Sequence, residues 1–572
     1  MPVKFIQKSL LALLFFFIGL TTLSTTTYAQ TFTAGPGIDQ FTPLPKTLSR
    51  VGERLSVRVT FNETVMVKGR PTIPFSIGNG TRQLRYQGRL GRGKSLLFTY
   101  RVQPEDINSG AVSLATVLGE VIALPPSVSI RSPQGIDATA AKFADGRTFV
   151  VLGALYEPLG TVSKVALNEV LTSELPKFAK GTVWPGYVIP TYTPATHDVQ
   201  LFKVAYRSVI PERSNQSTTA YGLVAIPLPN TNEGPGMIAY RPLVSYQHGT
   251  VMQKHEVPSY AFTPGPHYDN AYETRLNVAQ FAGQGYSVIA ADYFGMGDSK
   301  EPEAYSVKRS EQQACLDLYR SSLGLLKAQQ VVVSDLFLAG WSQGGLVTMA
   351  FLEKLEAEQI KVRAASTASA PASTLAALSA LVYNPRDGKD GNTADAAWIN
   401  IVFILSAFSQ ENYLTIPGLA RDFFKPEYYE TYLNIYERNY DIDTLIIRPG
   451  CISVGGSPCT PTDAREIFQS KYLQKSFFSD AEYVKVMSEA NGDEWVFSTQ
   501  IKMFYGQQDE AFTKGVTTLP AISQAIFNPG YIQSIEVAKG THRGTFLSSV
   551  QAQKEWFDAC VRDTSSMGCL AQ

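Results

Sequence analysis

At 572 residues and 44% hydrophobic content, the chain is longer than one compact core needs and apolar enough to fold along its length. That predicts two or three domains and argues against disorder as the default. Fifty basic residues balance fifty acidic ones, so no long-range field gathers nucleic acid or an anionic membrane surface, and both drop out as expected partners.

The chain opens with Lys4 and Lys8, an apolar run from Leu10 to Leu20, and a polar stretch ending Thr27-Tyr28-Ala29. This is the pattern of a secretory signal with a small-x-small cleavage site, so residues 1–29 are predicted to be removed. The apolar run is about half the ~20 residues of a membrane-spanning helix. No cysteine follows it and no second long apolar segment appears, so neither a lipid anchor nor stable membrane insertion is expected. The predicted location is secreted, periplasmic or cell-surface.

Residues 30–155 read as short strands. Leu55, Val57, Val59 and Phe61 alternate with polar neighbours, as do Leu96, Phe98, Tyr100 and Val102, which is the period of a strand burying one face. Gly78-Asn79-Gly80 and Gly91-Arg92-Gly93 are turn formers, and the spacing predicts a β-sandwich. The run Val57-Arg58-Val59-Thr60-Phe61, leading to Gly69-Arg70-Pro71-Thr72-Ile73, resembles the immunoglobulin-like modules that bacteria attach to exported proteins. Such a module serves as a spacer, or makes contact with a cell surface or polysaccharide.

From about Leu201 the pattern changes to apolar strands alternating with helical stretches, the signature of a mostly parallel sheet with helices on both faces. Strands are predicted at Tyr221 to Pro227, Leu243 to Gln247, Tyr286 to Ala291, Leu336 to Gly340, Ile501 to Tyr505 and Ile535 to Ala538. Helices are predicted at Val307 to Ala328 and Leu346 to Glu358. Residues 156–374 and 491–572 form the two parts of this α/β core. Between them, 375–490 lose the alternation and become rich in aromatics, as in Phe423-Phe424 and Tyr428-Tyr429, which predicts an inserted cap.

Five cysteines in an exported chain leave one over after two disulfides. The short loops between Cys451 and Cys459 and between Cys560 and Cys569 favour local pairing. Cys315 shares a helix face with Leu318, Ser322 and Leu325 and reads as a buried small hydrophobe. No Cys/His cluster suggests a metal. Asn62-Glu63-Thr64, Asn79-Gly80-Thr81 and Asn215-Gln216-Ser217 fit the glycosylation pattern, relevant only in a eukaryotic host.

The chemistry concentrates at Gly340-Trp341-Ser342-Gln343-Gly344, between an apolar strand and a helix. A serine in such a sharp turn is exposed above the sheet, and the residues two before and two after it must be small. The N–H of Gln343 is then free at the helix start to receive negative charge. A serine hydroxyl needs a base, and His542 in Gly540-Thr541-His542-Arg543-Gly544, directly after the last predicted strand, is placed to serve. His197, His255 and His267 read as surface or packing residues. An acid must orient the histidine, and Asp509, at the end of Phe504-Tyr505-Gly506-Gln507-Gln508-Asp509, fits best. Glu510 is the runner-up, and Asp493 lies before the strand. The second oxyanion donor is expected from Thr250 in Gln247-His248-Gly249-Thr250, where His248 orders the loop and takes no proton.

With these residues in place the catalytic part resembles the α/β-hydrolase superfamily, and within it is similar to secretory lipases and esterases. The matching runs are Ser245-Tyr246-Gln247-His248-Gly249-Thr250, Gly285 through Ser299, the serine turn, Tyr505-Gly506-Gln507-Gln508-Asp509 and His542-Arg543-Gly544, spanning about 200 to 558. The resemblance implies a serine hydrolase without cofactor or metal. It would act through an acyl-enzyme on a small ester or lipid-like substrate, with Ser342 as nucleophile, His542 as base, Asp509 as its partner, and Thr250 and Gln343 as oxyanion donors. The competing readings are a serine peptidase of the same fold, although no blade-like repeat precedes residue 200, and a surface binding protein with an inert hydrolase domain.

Overall fold

The computed structural model describes most of residues 36–569; the longest internal stretches outside the description are 45–51, 105–120, 231–238, 384–395 and 475–481. The expected signal segment, His267 and Gly78-Asn79 lie outside the described residues.

The first strands are β1 (Ile38–Leu44), β2 (Arg54–Lys68), β3 (Thr72–Ile77), β4 (Gly80–Tyr86), β5 (Leu90–Arg101), β6 (Val121–Leu124), β7 (Ser129–Arg131), β8 (Ala140–Lys142) and β9 (Thr148–Val151). They form an antiparallel sheet in the order β1-β2-β5-β4-β3-β6-β9-β8, with β7 on the side of β2. The alternation in β2 is real: Leu55, Val57, Val59 and Phe61 are buried, and with Leu96, Phe98 and Val102 they form one apolar cluster. Gly91-Arg92-Gly93 corrects the expectation of a turn. These residues lie inside β5, opposite Val67, Met66 and Val65. The Tyr86 hydroxyl lies over Gly91, in the space a Cβ would take, so the residue marks a close approach.

A second sheet begins with β10 (Ala154–Val162), β11 (Val199–Ile210), β12 (Gln216–Pro227), β13 (Ala239–Gln247), β14 (Ser287–Ala291), β15 (Val331–Trp341) and β16 (Ala364–Ala368). Between β16 and the last two strands lies the 375–490 region, whose own hairpin is β17 (Ile446–Arg448) and β18 (Cys451–Ser453). The sheet resumes with β19 (Ile501–Gly506) and β20 (Ile532–Val537), and its order is β10-β11-β12-β14-β13-β15-β16-β19-β20. The pairings from β14 through β20 are parallel, whereas β10–β11, β11–β12 and β12–β14 are antiparallel. The sheet is therefore mixed: β11 and β12 are joined by a short turn with Ser214 in the left-handed region, too short for a crossover.

Alternate residues of single strands feed two cores, which places helices on both faces. Leu336 and Leu338 of β15 join the cluster built with the helices Lys308–Ala328 and Gln343–Ala357. Phe337 and Ala339 join the one built with Tyr272–Phe281 and His542–Arg562. β10, β11 and β16 were not anticipated. β16 reads Ala-Ala-Ser-Thr-Ala, weak in strand-forming side chains, and is defined by being buried throughout.

The 375–490 region forms helices Thr374–Tyr383, Ala396–Leu414, Leu419–Phe423, Tyr429–Glu437 and Glu482–Glu489 around a cluster that includes Phe403, Phe408, Phe424, Tyr432 and Phe468. Both local disulfides form, Cys451–Cys459 from the hairpin strand β18 and Cys560–Cys569 from the end of the last helix to the segment beyond it, and Cys315 is free and buried. Among the described residues no helix is long and apolar enough to cross a membrane.

Candidate active site

Strand β15 delivers Ser342 to the carboxyl edge of the parallel strands in a strained backbone, φ 57° and ψ −124°, ahead of the helix Gln343–Ala357. Such a conformation costs about 1–3 kcal/mol for a non-glycine residue and persists only where its surroundings enforce it. The enforcement is visible at the flanking glycines. A Cβ on Gly340 would strike the Gly344 carbonyl and the Thr348 hydroxyl, and one on Gly344 would strike the Gln247 carbonyl and come within 2.6 Å of that of His248. The two glycines let the serine turn press directly onto the end of β13.

His542 is the first residue of the C-terminal helix rather than a loop residue. Thr541 caps that helix by accepting from Gly544 N at 3.0 Å, which fixes where it starts. The turns after β19 and β20 are joined by backbone bonds, Gln507 N to Val537 O at 3.1 Å and Gln508 N to Gly540 O at 2.9 Å. A Cβ on Gly506 would collide with the Gly540 carbonyl, so this glycine permits the approach. Asp509 is thereby brought to His542, with Nδ1 3.1 Å from Oδ1 and 3.2 Å from Oδ2. The carboxylate also accepts from the N–H groups of Ala511 and Phe512, both at 2.9 Å, and cannot swing away without losing them. Glu510 takes a different position, accepting from the backbone N–H of His542 at 2.8 Å. Asp493 is bonded to the Ser373 hydroxyl and does not reach the ring.

Ser342 is 8% exposed, and among the described residues its hydroxyl has no hydrogen-bond partner. What joins it to His542 is Trp341, the residue before it in the turn, to which the sequence alone assigned no role. Its indole lies 5.0 Å from the imidazole, stacks on Phe546 at 4.8 Å, and donates from Nε1 to the His542 carbonyl at 3.2 Å. Phe512 packs edge-on against the other side of the ring at 5.7 Å. Burial pushes the His542 pKa down, but the charge and hydrogen bond of Asp509, helped by Glu510, more than offset it and leave the ring above its usual value.

The loop after β13 is held by buried side chains. Gly249 N donates to Glu273 at 2.8 Å, and the Thr250 hydroxyl bonds the Tyr305 hydroxyl at 2.8 Å. His248 stacks on Tyr293 at 4.3 Å with Nδ1 2.7 Å from the Gly249 carbonyl, and burial lowers its pKa to about 4. It stays neutral and orders the loop. The Gln343 side chain donates to Glu311 at 3.2 Å. Burial raises both Glu273 and Glu311 to about 8, so these acids are mostly protonated at neutral pH. His197 bonds Thr196 and Asn230, and His255 packs on Tyr260; both are structural, away from the serine turn.

No family model matches the chain, and no curated protein matches it. Solved structures do. A Legionella pneumophila protein named as a hydrolase superposes with a TM-score of 0.56 at 18% identity, covering 72% of this chain and 98% of that one. The rice cell wall degrading esterase LipA of Xanthomonas oryzae superposes at 0.52 and 19%, covering 72% and 96%. The fold is that of the α/β-hydrolases. At these identities the likeness carries the architecture, and the chemistry has to be argued from the side chains.

Proposed function

We propose that the chain is a secreted serine hydrolase cleaving carboxylic esters, with Ser342 as nucleophile, His542 as general base and Asp509 as the partner of His542. The carrying observation is the Asp509–His542 pair, its Nδ1 engaged at 3.1 Å, packed on the indole of the residue before a strained Ser342. With Nδ1 engaged by the carboxylate, the ring's other nitrogen is the acceptor left for the serine proton. Attack by the Ser342 oxygen on the ester carbonyl would form a tetrahedral oxyanion facing the N–H groups of Gln343 and Thr250. Collapse expels the alcohol, protonated by His542, and leaves an acyl-enzyme. The same histidine then activates water to release the acid, while Asp509 stabilises the imidazolium and keeps its own charge.

Export is part of the proposal: the signal pattern ending at Ala29 and the two disulfides both belong to an oxidising compartment. The N-terminal strands are read as an immunoglobulin-like sandwich, a spacer or a contact with a surface or polysaccharide. The aromatic cap suits a substrate with an apolar acyl or aryl part.

The test is fluorophosphonate labelling together with turnover of p-nitrophenyl esters, for the native protein and Ser342→Ala. Labelling and turnover that vanish in the variant support the reading. Equal turnover by both proteins would remove it.

A further inference from the structure

The proposed oxyanion donors do not stand alone: both residues are tied by their side chains to one segment, 303–311, which is in turn tied to the cap. Strand β13 ends at Gln247, so Thr250 lies three residues beyond the last ladder pairing, in a loop that secondary structure does not hold. Its hydroxyl is 2.8 Å from that of Tyr305, whose side chain is almost fully buried at 3% exposure. Tyr305 cannot drift, because its own N–H donates to the Ser409 hydroxyl at 3.0 Å and Ser409 donates to the Glu303 carbonyl at 2.8 Å. Ser409 lies in the cap helix Ala396–Leu414, and the next residue, Gln410, donates to the Ser306 carbonyl at 2.9 Å. On the other side of the same segment, Glu311 accepts from both Ser306 N at 3.1 Å and the Gln343 side chain at 3.2 Å. Arg438 of the cap closes the arrangement, pairing with Glu303 at 2.8 Å and donating to the Val251 carbonyl, next to Thr250, at 3.1 Å.

Resting on the serine hydrolase reading, we propose that Tyr305 is a positioning residue for the Thr250 oxyanion donor, and that the cap helix sets it through Ser409. The cap then has a part in the chemical step besides walling the pocket. An oxyanion donor acts only if it is held where charge develops in the transition state, so a slack loop lowers turnover while leaving ground-state binding nearly unchanged.

The experiment measures kcat and KM with p-nitrophenyl butyrate for the full-length protein, Ser342→Ala, Tyr305→Phe, Thr250→Ser, Thr250→Val, the Tyr305→Phe/Thr250→Val double variant and Ser409→Ala. Thermal unfolding midpoints confirm that each variant is folded. Tyr305→Phe keeps the ring and its packing, so it should lose about 10-fold in kcat, less than the loss of a whole donor, with KM within about 2-fold. Thr250→Ser retains the hydroxyl and should lose less kcat than Thr250→Val. Thr250→Val should match Tyr305→Phe, and the double variant should be no worse than either, since one contact is removed in each case. Ser409→Ala should lower kcat in the same direction. Additive losses, a change confined to KM, or wild-type kcat in a folded Tyr305→Phe would overturn the positioning role while the Ser342-dependent activity stands. Turnover in the wild type no greater than in Ser342→Ala would remove both proposals together.

Discussion

The serine turn and the cap hold their shapes by opposite means. Around Ser342 the constraint is in the backbone: glycines at 340, 344 and 506 sit where a single added carbon meets a carbonyl oxygen, and the strained φ of the serine persists because nothing larger fits. In the cap, turn glycines such as Gly455 and Gly456 have open space around their Cβ positions, and the shape is carried by interlocked rings, with the buried Arg438–Glu303 pair tying the region to the segment at 303. The turn that carries Ser342 is built on unyielding main chain, and the 375–490 region on packed side chains.

Several substitutions sharpen that contrast, the largest expected effect first. Asp509→Asn removes the charge that holds the His542 tautomer and should lower kcat by about 10⁴-fold on p-nitrophenyl butyrate. The pH dependence carries a second signature. In the proposed mechanism His542 must be neutral to accept the serine proton, and its pKa is raised, so the acid limb of kcat/KM should lie above that of an ordinary imidazole. With Asp509 gone, burial dominates, and the limb of the residual activity should move to lower pH; an unmoved limb would break the assignment of Asp509 as the partner.

Gly344→Ala places a carbon against the Gln247 carbonyl and displaces the turn. Turnover should fall by about 100-fold, as expected for a shift of about 1 Å at the reacting atoms. Gly456→Ala in the cap meets no atom but has a left-handed φ of 78°, so it should cost about 1 kcal/mol of stability and leave kcat unchanged. Similar losses of turnover for the two variants would erase the distinction between the regions.

Arg438→Met strands the buried Glu303 carboxyl, whose pKa burial already raises and Arg438 lowers. Urea unfolding should show a loss of about 3 kcal/mol. The half-exposed Lys471–Asp422 pair in the same region should yield less than about 1 kcal/mol on Lys471→Ala. The smallest effect is expected from Glu510→Gln. It removes a charge that raises the His542 pKa but keeps an acceptor for the backbone N–H, so the acid limb should shift slightly downward with kcat within about 3-fold on its plateau.

Much of the site was legible because its signals are local. Gly340 and Gly344 flank Ser342 at the spacing a strand-to-helix turn demands, and His542 and Asp509 follow strands whose apolar runs stand out. The choice of Asp509 over Glu510 was made on position in the turn; in the structure the Asp509 carboxylate lies against the ring and Glu510 against the backbone N–H. Trp341 as the platform under His542 was not legible, since an indole in that position could face either way. Tyr305, Ser409 and Glu311 were equally silent: each is an ordinary residue until residues 32 to 104 positions apart are packed together. Strand β16 was missed because its small side chains lack a strand preference, and β11 because only a short helical turn separates it from β12, so no strand-helix alternation marks it.

By itself, the order of residues marked the candidate groups for the proposed chemistry and which two cysteine pairs could close, since glycine spacing, strand ends and short loops depend on neighbours along the chain. Only the tertiary structure decided that Asp509 faces the ring while Glu510 faces the backbone, and that the cap grips the Thr250 loop through Tyr305. Those outcomes depend on elements distant in sequence competing for the same buried space, and there burial and hydrogen-bond geometry, not local preference, set the free energy.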